Sequence, residues 1–311
     1  MLPRECIKRL CAPVLAWLLA GFFGCSLAHA EIAAVGPCHA GLPAESWDQT
    51  FAGPRRLLYE AIVTDDAKSV QSLIPVVKDV NFMVVEREPL LNVALRYRNK
   101  GIVEMLLKAG ADPKLTGCGN SAMYDLADTL NPRPAFVAAR PTVAIAELLL
   151  AHEAPLQRAA TPASAVHGRS DPLSAAVSGA DLALIGWLVQ HGVAVDGLDD
   201  VGNRALMTAI QSPQPSHRKL EVVNLLLSLG ADPSAANPQF GNALRLAIEQ
   251  GDAQVVRALV AGHANLNARE PASSPLALAK RTRARATYQS MQDREQYREI
   301  VQVLESAGAK D

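Results

Sequence analysis

The chain has 311 residues, 49% of them hydrophobic but only 5% aromatic, and a formal net charge of −1. A core drawn from Ala, Leu and Val suits small helices packed closely together. Charge so near zero supplies no global field for nucleic acid or an anionic surface, and neither is expected as a partner.

The first thirty residues stand apart. Arg4, Lys8 and Arg9 form a basic start, Leu10 to Gly24 an apolar stretch, and Ala28-His29-Ala30 a small-x-small step. This is the pattern of a secretory signal, residues 1–30, cleaved between Ala30 and Glu31. The apolar stretch is short of the roughly 20 residues of a membrane span, so no stable insertion is expected after cleavage. Lipidation at Cys25 is the lesser option, because Phe22 stands where Leu is usual. Cleavage leaves 27 Lys and Arg against 30 Asp and Glu. It removes Cys6, Cys11 and Cys25 and leaves Cys38 and Cys118. In an oxidising compartment that pair is a candidate disulfide, two free buried thiols being the alternative. Residues 31–54 then form an N-terminal extension.

From residue 55 onward one pattern recurs. Leu-x-x-Ala plus an apolar residue appears at Leu58, Leu91, Leu173, Leu206 and Leu244, and more weakly at Leu276. Each copy is followed by a Val/Ile/Leu-rich second helix. In the second unit Leu91, Val93, Ala94 and Leu95 give one helix its packed face, and Ile102, Val103, Leu106 and Leu107 a second. Gly110 sits where a left-handed C-terminal residue is needed, and Ala111-Asp112-Pro113 turns the chain away. Leu106 to Pro113 is echoed closely by Leu226 to Pro233. A fixed period of this size predicts a stacked repeat domain over 55–311.

This combined motif resembles the ankyrin repeat, whose consensus runs Thr-Pro-Leu-His-x-Ala, a short turn, then Val-x-x-Leu-Leu-x-x-Gly-Ala-Asp. The resemblance implies an all-α solenoid of about seven helix-turn-helix units carrying β-hairpin fingers. The helix-end position reads Val77, Gly110, Glu153, Gly192, Gly230, His263 and Gly308. Val77 is unsuited to positive φ, which marks the first unit, interrupted by Pro75, as a degenerate cap. In the third unit Met123 to Ala127 replaces the motif, and Asn131-Pro132-Arg133-Pro134 opens an insertion. Extra length falls in a finger around Arg158 to Ser170, between helices at Ser212 to Ser216, and in lengthened last helices over Lys280 to Glu299.

Patterns that carry chemistry are scarce. His152-Glu153 lacks the second His of a zinc-protease helix, and no phosphate loop, nucleophile elbow or dinucleotide fingerprint occurs. His152, His191 and His263 fall at helix ends, where imidazole satisfies carbonyls. Asp65-Asp66 and Asp199-Asp200 read as turn residues rather than calcium ligands. The basic run Lys280 to Arg285 reads as a solvated helix face, or else as an anionic-partner contact. No cofactor and no metal are expected.

Partners of ankyrin-type proteins meet the finger tips and the exposed ends of the inner helices. Carried onto this chain, the finger candidates are Arg87, Glu88, Asp199, Asp200, Asn237, Gln239 and Phe240. The inner-helix candidates are Arg96, Tyr97, Glu249 and Gln250, with Ser178-Gly179 and Gln211-Ser212 at equivalent places. Tyr97 and Phe240 lead because aromatic side chains dominate interface energetics; packing over the neighbouring unit is the alternative for Tyr97. The resulting expectation is a monomeric, non-catalytic protein-binding module in a bacterial periplasm, a scaffold or accessory factor for an envelope protein or stress response. An immunity-type neutraliser of an envelope-targeting toxin is the alternative. A host-directed effector and an enzyme with its site in the inter-helix insertions are more remote ones.

Overall fold

A computed structural model describes residues 53–84, 88–116, 120–128, 141–156, 171–199, 202–237, 241–267, 273–286 and 291–310. All lie in one compact unit. They form seven helix pairs. These are α1 (Pro54–Val63) with α2 (Ala67–Val77), α3 (Leu90–Tyr97) with α4 (Lys100–Lys108), and α5 (Ala122–Ala127) with α6 (Thr142–Ala151). Next come α7 (Pro172–Ser178) with α8 (Leu182–Gln190), and α9 (Ala205–Gln211) with α10 (Ser216–Ser228). The last are α11 (Ala243–Gln250) with α12 (Ala253–Ala261), and α13 (Pro275–Ala286) with α14 (Met291–Ser306).

Each first helix packs on the first helices before and after it, and each second helix does likewise. Two helical layers result, with one continuous apolar core between them. The recurring Leu and the apolar residue four positions on supply it: Leu58 and Ile62, Leu91 and Leu95, Leu173 and Val177, Leu206 and Ile210, Leu244 and Ile248 are all 2% exposed or less. First helices of seven or eight residues are marginal alone, so this stacking is what holds them helical.

Local chemistry fixes the ends. Asp66, Asn99, Asp181 and Asp252 each cap a second helix, accepting a backbone N–H two or three residues on. At the other end six units share one arrangement. The amide of Ala111 reaches the Leu106 carbonyl at 3.0 Å and that of Gly110 the Leu107 carbonyl at 3.0 Å. The same pair of bonds recurs at Ala154, Val193, Ala231, Ala264 and Ala309. The left-handed residue in it is Gly110, Glu153, Gly192, Gly230, His263 or Gly308, as the spacing predicts. The first unit departs: Val77 stays helical and Lys78 takes the positive φ of 64°. A β-branched side chain resists that conformation, so the helix runs one residue further.

The lengthened last pair is seen in the 12 residues of α13 and 16 of α14. Ser212 to Pro215 makes the inter-helix link of the fifth unit. The insertions at 129–140 and 157–170 fall outside the described residues. One finger holds antiparallel strands β1 (Ala236–Asn237) and β2 (Gly241–Asn242), with Ala236 opposite Asn242 and Asn237 opposite Gly241. Among the described residues another finger carries a single bridge, Met83 to Pro89. At the finger bases are turns, including that of the stranded finger, set by Asp112 accepting from the Lys114 amide, Asp232 from Ser234 and Asn265 from Asn267, at 2.8–3.0 Å. Asn and Asp make such turns because their short side chains bond the backbone two residues on.

Candidate interaction surface

The ends of α3 and the finger before it meet in a half-buried polar cluster. Arg96 Nη2 donates to Glu88 Oε2, and the two side chains are 21% and 13% exposed. Beneath them Asp125, from α5, is buried. Its Oδ2 accepts from Asn92 Nδ2 at 2.8 Å and its Oδ1 from Asn120 Nδ2 at 2.9 Å. Burial pushes the Asp125 carboxyl up to about 6, opposed by the Asn120 hydrogen bond, the Arg96 charge and the Asn92 hydrogen bond. A carboxylate in such a site is tolerated because donors converge on it, whereas an unpaired one would be costly. Asn92 sits one repeat before Asp125, so the bond joins equivalent positions of consecutive first helices. Tyr97, at the exposed end of α3, is partly buried against the core. It thus combines packing with an accessible edge.

Further along the row the surface is neutral. Ser174, Ser178 and Thr208 are half-buried and Gln211 exposed on α7 and α9. At α11 Arg245 pairs with Glu249 at 3.0 Å. Glu249 also accepts the Tyr297 hydroxyl through its backbone carbonyl at 3.1 Å, and Gln250 Oε1 accepts from Lys219 Nζ at 3.1 Å. Burial lowers the Lys219 ammonium, against the Asp252 charge that raises it.

Two finger candidates turn out to build the fingers. Asp199 accepts from the Asn203 amide at 2.7 Å and from the Thr208 hydroxyl at 3.4 Å. Asn237 is buried, 5% exposed, and donates to the Gly202 carbonyl at 2.6 Å. It stitches one finger to the next and is withdrawn from the contact surface: its amide is worth more to a buried carbonyl than to solvent. Leu198, 62% exposed, offers the apolar finger contact that sequence position alone does not single out. Arg87, Asp200, Gln239 and Phe240 lie outside the described residues, as do Cys38, Cys118, Ala30 and Glu31.

The remaining sequence candidates are structural or exposed. His191 Nδ1 lies 2.8 Å from the Trp187 carbonyl and its ring stacks on Trp187, as a helix-end imidazole should. Lys280 pairs with Glu305 at 3.6 Å, while Arg281 and Arg283 are exposed. Among the described residues no group of three or more His, Cys, Asp or Glu is placed to hold a metal. No helix among them is long and apolar enough to cross a membrane.

Two layers of short helix pairs with finger turns on one edge define an ankyrin-repeat solenoid. The ankyrin-repeat family model matches residues 201–238, the fifth finger-to-helix region onward. Among solved structures, the human ASB11 ankyrin repeat domain superposes with a TM-score of 0.62 at 20% identity, covering 82% of this chain and 98% of that one. The ankyrin repeat domain of Bcl-3, a member of the IkappaB protein family, gives 0.55 at 21%, covering 80% and 97%. An ankyrin repeat domain from Acinetobacter baumannii AYE gives 0.51 at 22%, covering 67% and 98%. No curated protein matches the chain. These likenesses establish the fold. Repeat solenoids of this kind generally bind proteins along an extended preformed surface.

Proposed function

We propose that the chain is a secreted, non-catalytic protein-binding module of a bacterial periplasm, acting as a scaffold or accessory factor for an envelope protein. The observation that carries this reading is the row formed by Glu88, Arg96, Tyr97, Gln211, Glu249 and Gln250. It presents side chains held by partners or packing on one finger and on three first helices of the stack, α3, α9 and α11. Such a surface loses little side-chain entropy on binding, which favours affinity without large rearrangement. The secretory start, residues 1–30, supports the compartment. Tyr97 is the proposed anchor, with Leu198 as an apolar contact from the fingers.

The reading is tested by recovering partners of residues 31–311 from periplasmic extract, beside a variant with Arg96, Tyr97 and Phe240 changed to Ala. A single dominant protein lost with the variant supports it. A partner retained by the variant would place binding elsewhere. Cell fractionation that leaves the protein in the cytosol with residues 1–30 attached would overturn the compartment.

A further inference from the structure

The fifth unit departs from its neighbours between its two helices. The other fully described links within a unit are short: residues 64–66, 98–99, 179–181 and 251–252. Here the link is residues 212–215, with prolines at 213 and 215. α10 then has 13 residues, against 9 in each of α4, α8 and α12. Aligned on the last residues of these helices, the extra turn is residues 216–219. Pro213, Pro215 and His217 are exposed, while Gln214 and Lys219 are half-buried.

Those two half-buried side chains reach into both neighbouring units. Gln214 Nε2 donates to the carbonyl of Ser178, the last residue of α7, at 2.9 Å. Lys219 Nζ donates to the Ile210 carbonyl, near the end of α9, at 2.9 Å. It also donates to Oε1 of Gln250, the last residue of α11, at 3.1 Å. One insertion thus joins the ends of three consecutive first helices. Carbonyls in the last turn of a helix have no partner within it, so they accept such donors readily. Burial lowers the Lys219 ammonium. An apolar side chain of that length would avoid the penalty but bond neither acceptor. Elsewhere on this edge Arg98 reaches the Ala127 carbonyl at 3.4 Å and the Tyr297 hydroxyl the Glu249 carbonyl at 3.1 Å, each across a single junction. The link itself is stiff, because a proline ring locks φ, which is −66° at Pro215.

We propose that Gln214 and Lys219 are positioning residues for the contact row. They hold the ends of α7, α9 and α11 at one spacing and angle, and so fix how Gln211 and Gln250 face a partner. Neither side chain needs to touch that partner. The inference rests on the reading of this row as a protein-binding surface and adds what keeps the row in shape.

Distance measurement across the brace tests it. Spin labels carried by a keto amino acid, which leaves Cys38 and Cys118 unlabelled, replace exposed Ala183 on α8 and Gln254 on α12. These positions each follow their helix cap by two residues, in the fourth and sixth units, two helix spacings or about 20 Å apart. Pulsed dipolar spectroscopy of residues 31–311 should give one narrow distance. Gln214→Ala combined with Lys219→Met should turn it into a broad one at unchanged helical content. Lys219→Arg, which keeps the donors, should leave it narrow. Should the pair lose helical content, each substitution is measured alone. A distribution that stays narrow without the two side chains overturns the proposal. The unlabelled forms are then compared for proteins recovered from periplasmic extract. Recovery that falls several-fold with the paired substitutions and is kept by Lys219→Arg supports the positioning role. Recovery that survives the broadened distance overturns that role while leaving the contact row intact. If the unchanged chain recovers no protein, the contact reading itself fails and the positioning role with it, whatever the distances show.

Discussion

Asp125 offers the sharpest test of the buried polar cluster. Its carboxyl titrates near 6 in the folded chain, against 3.8 as the ordinary value. The folded state therefore holds the proton more tightly than the unfolded state. The stability this supplies is complete below pH 3.8 and is lost as the pH rises through 6. At 1.36 kcal/mol per pKa unit, lowering the pH from 7 to 5 should stabilise the wild type by about 1 kcal/mol through this group. Asp125→Asn removes the titration while keeping the shape. Asp171, also raised by burial, and Asp66, Glu104 and Glu153, all lowered, are shared by both proteins and cancel in the comparison. The assay is urea unfolding of both proteins at pH 7 and pH 5. The stability difference between them should shift by about 1 kcal/mol in favour of wild type at the lower pH. Parallel behaviour at the two pH values would show that Asp125 does not titrate in that window and would refute the burial argument.

The stack makes further demands that can be measured. Leu226→Ala should cost about 2–5 kcal/mol through the cavity it leaves, because Leu226 is fully buried. Leu227→Ala should cost less, since that side chain is only half-buried, and urea midpoints of the two variants should separate accordingly. His263→Gly should raise stability by about 1 kcal/mol, because His263 holds a φ of 66° that an L side chain resists. Gly251→Ala should do the opposite: φ is 74° there, and the new methyl would meet the Tyr297 ring at 3.1 Å. If the bridge between Cys38 and Cys118 forms, intact-mass measurement before and after reduction and alkylation will show it. Reductant should then lower hydrogen-exchange protection of α1 to α4 before that of α11 to α14.

Periodicity made the architecture legible. Leu-x-x-Ala fixes the buried face of the first helix and Gly-Ala-Asp the end of the second, both by short-range rules. Even the odd residues Glu153 and His263 occupy the left-handed position that spacing assigns them. The slip at Val77 is also local: the spacing marks the unit's end, but a branched side chain moves the turn to Lys78. What the sequence hides is contact between units. Asn237 looks like an exposed finger residue, yet its partners Gly202 and Asn203 lie one repeat earlier. Asp125 looks like a departure from the motif, yet it answers Asn92 across one repeat. Those pairings depend on the register of the stack, which single-unit reading does not supply. The second-helix caps at Asp66, Asn99, Asp181 and Asp252 were available from the sequence as an Asp or Asn before each apolar run.

Binding along the first-helix row is the central claim, and site-specific photo-crosslinking in living cells tests it most directly. A photoreactive residue would replace Tyr97 at the end of α3 or, as a control, exposed Asn224 on α10. The account predicts one discrete protein adduct from position 97 and none from position 224. An adduct from position 224 with nothing at 97 would put the partner on the second-helix face and contradict it.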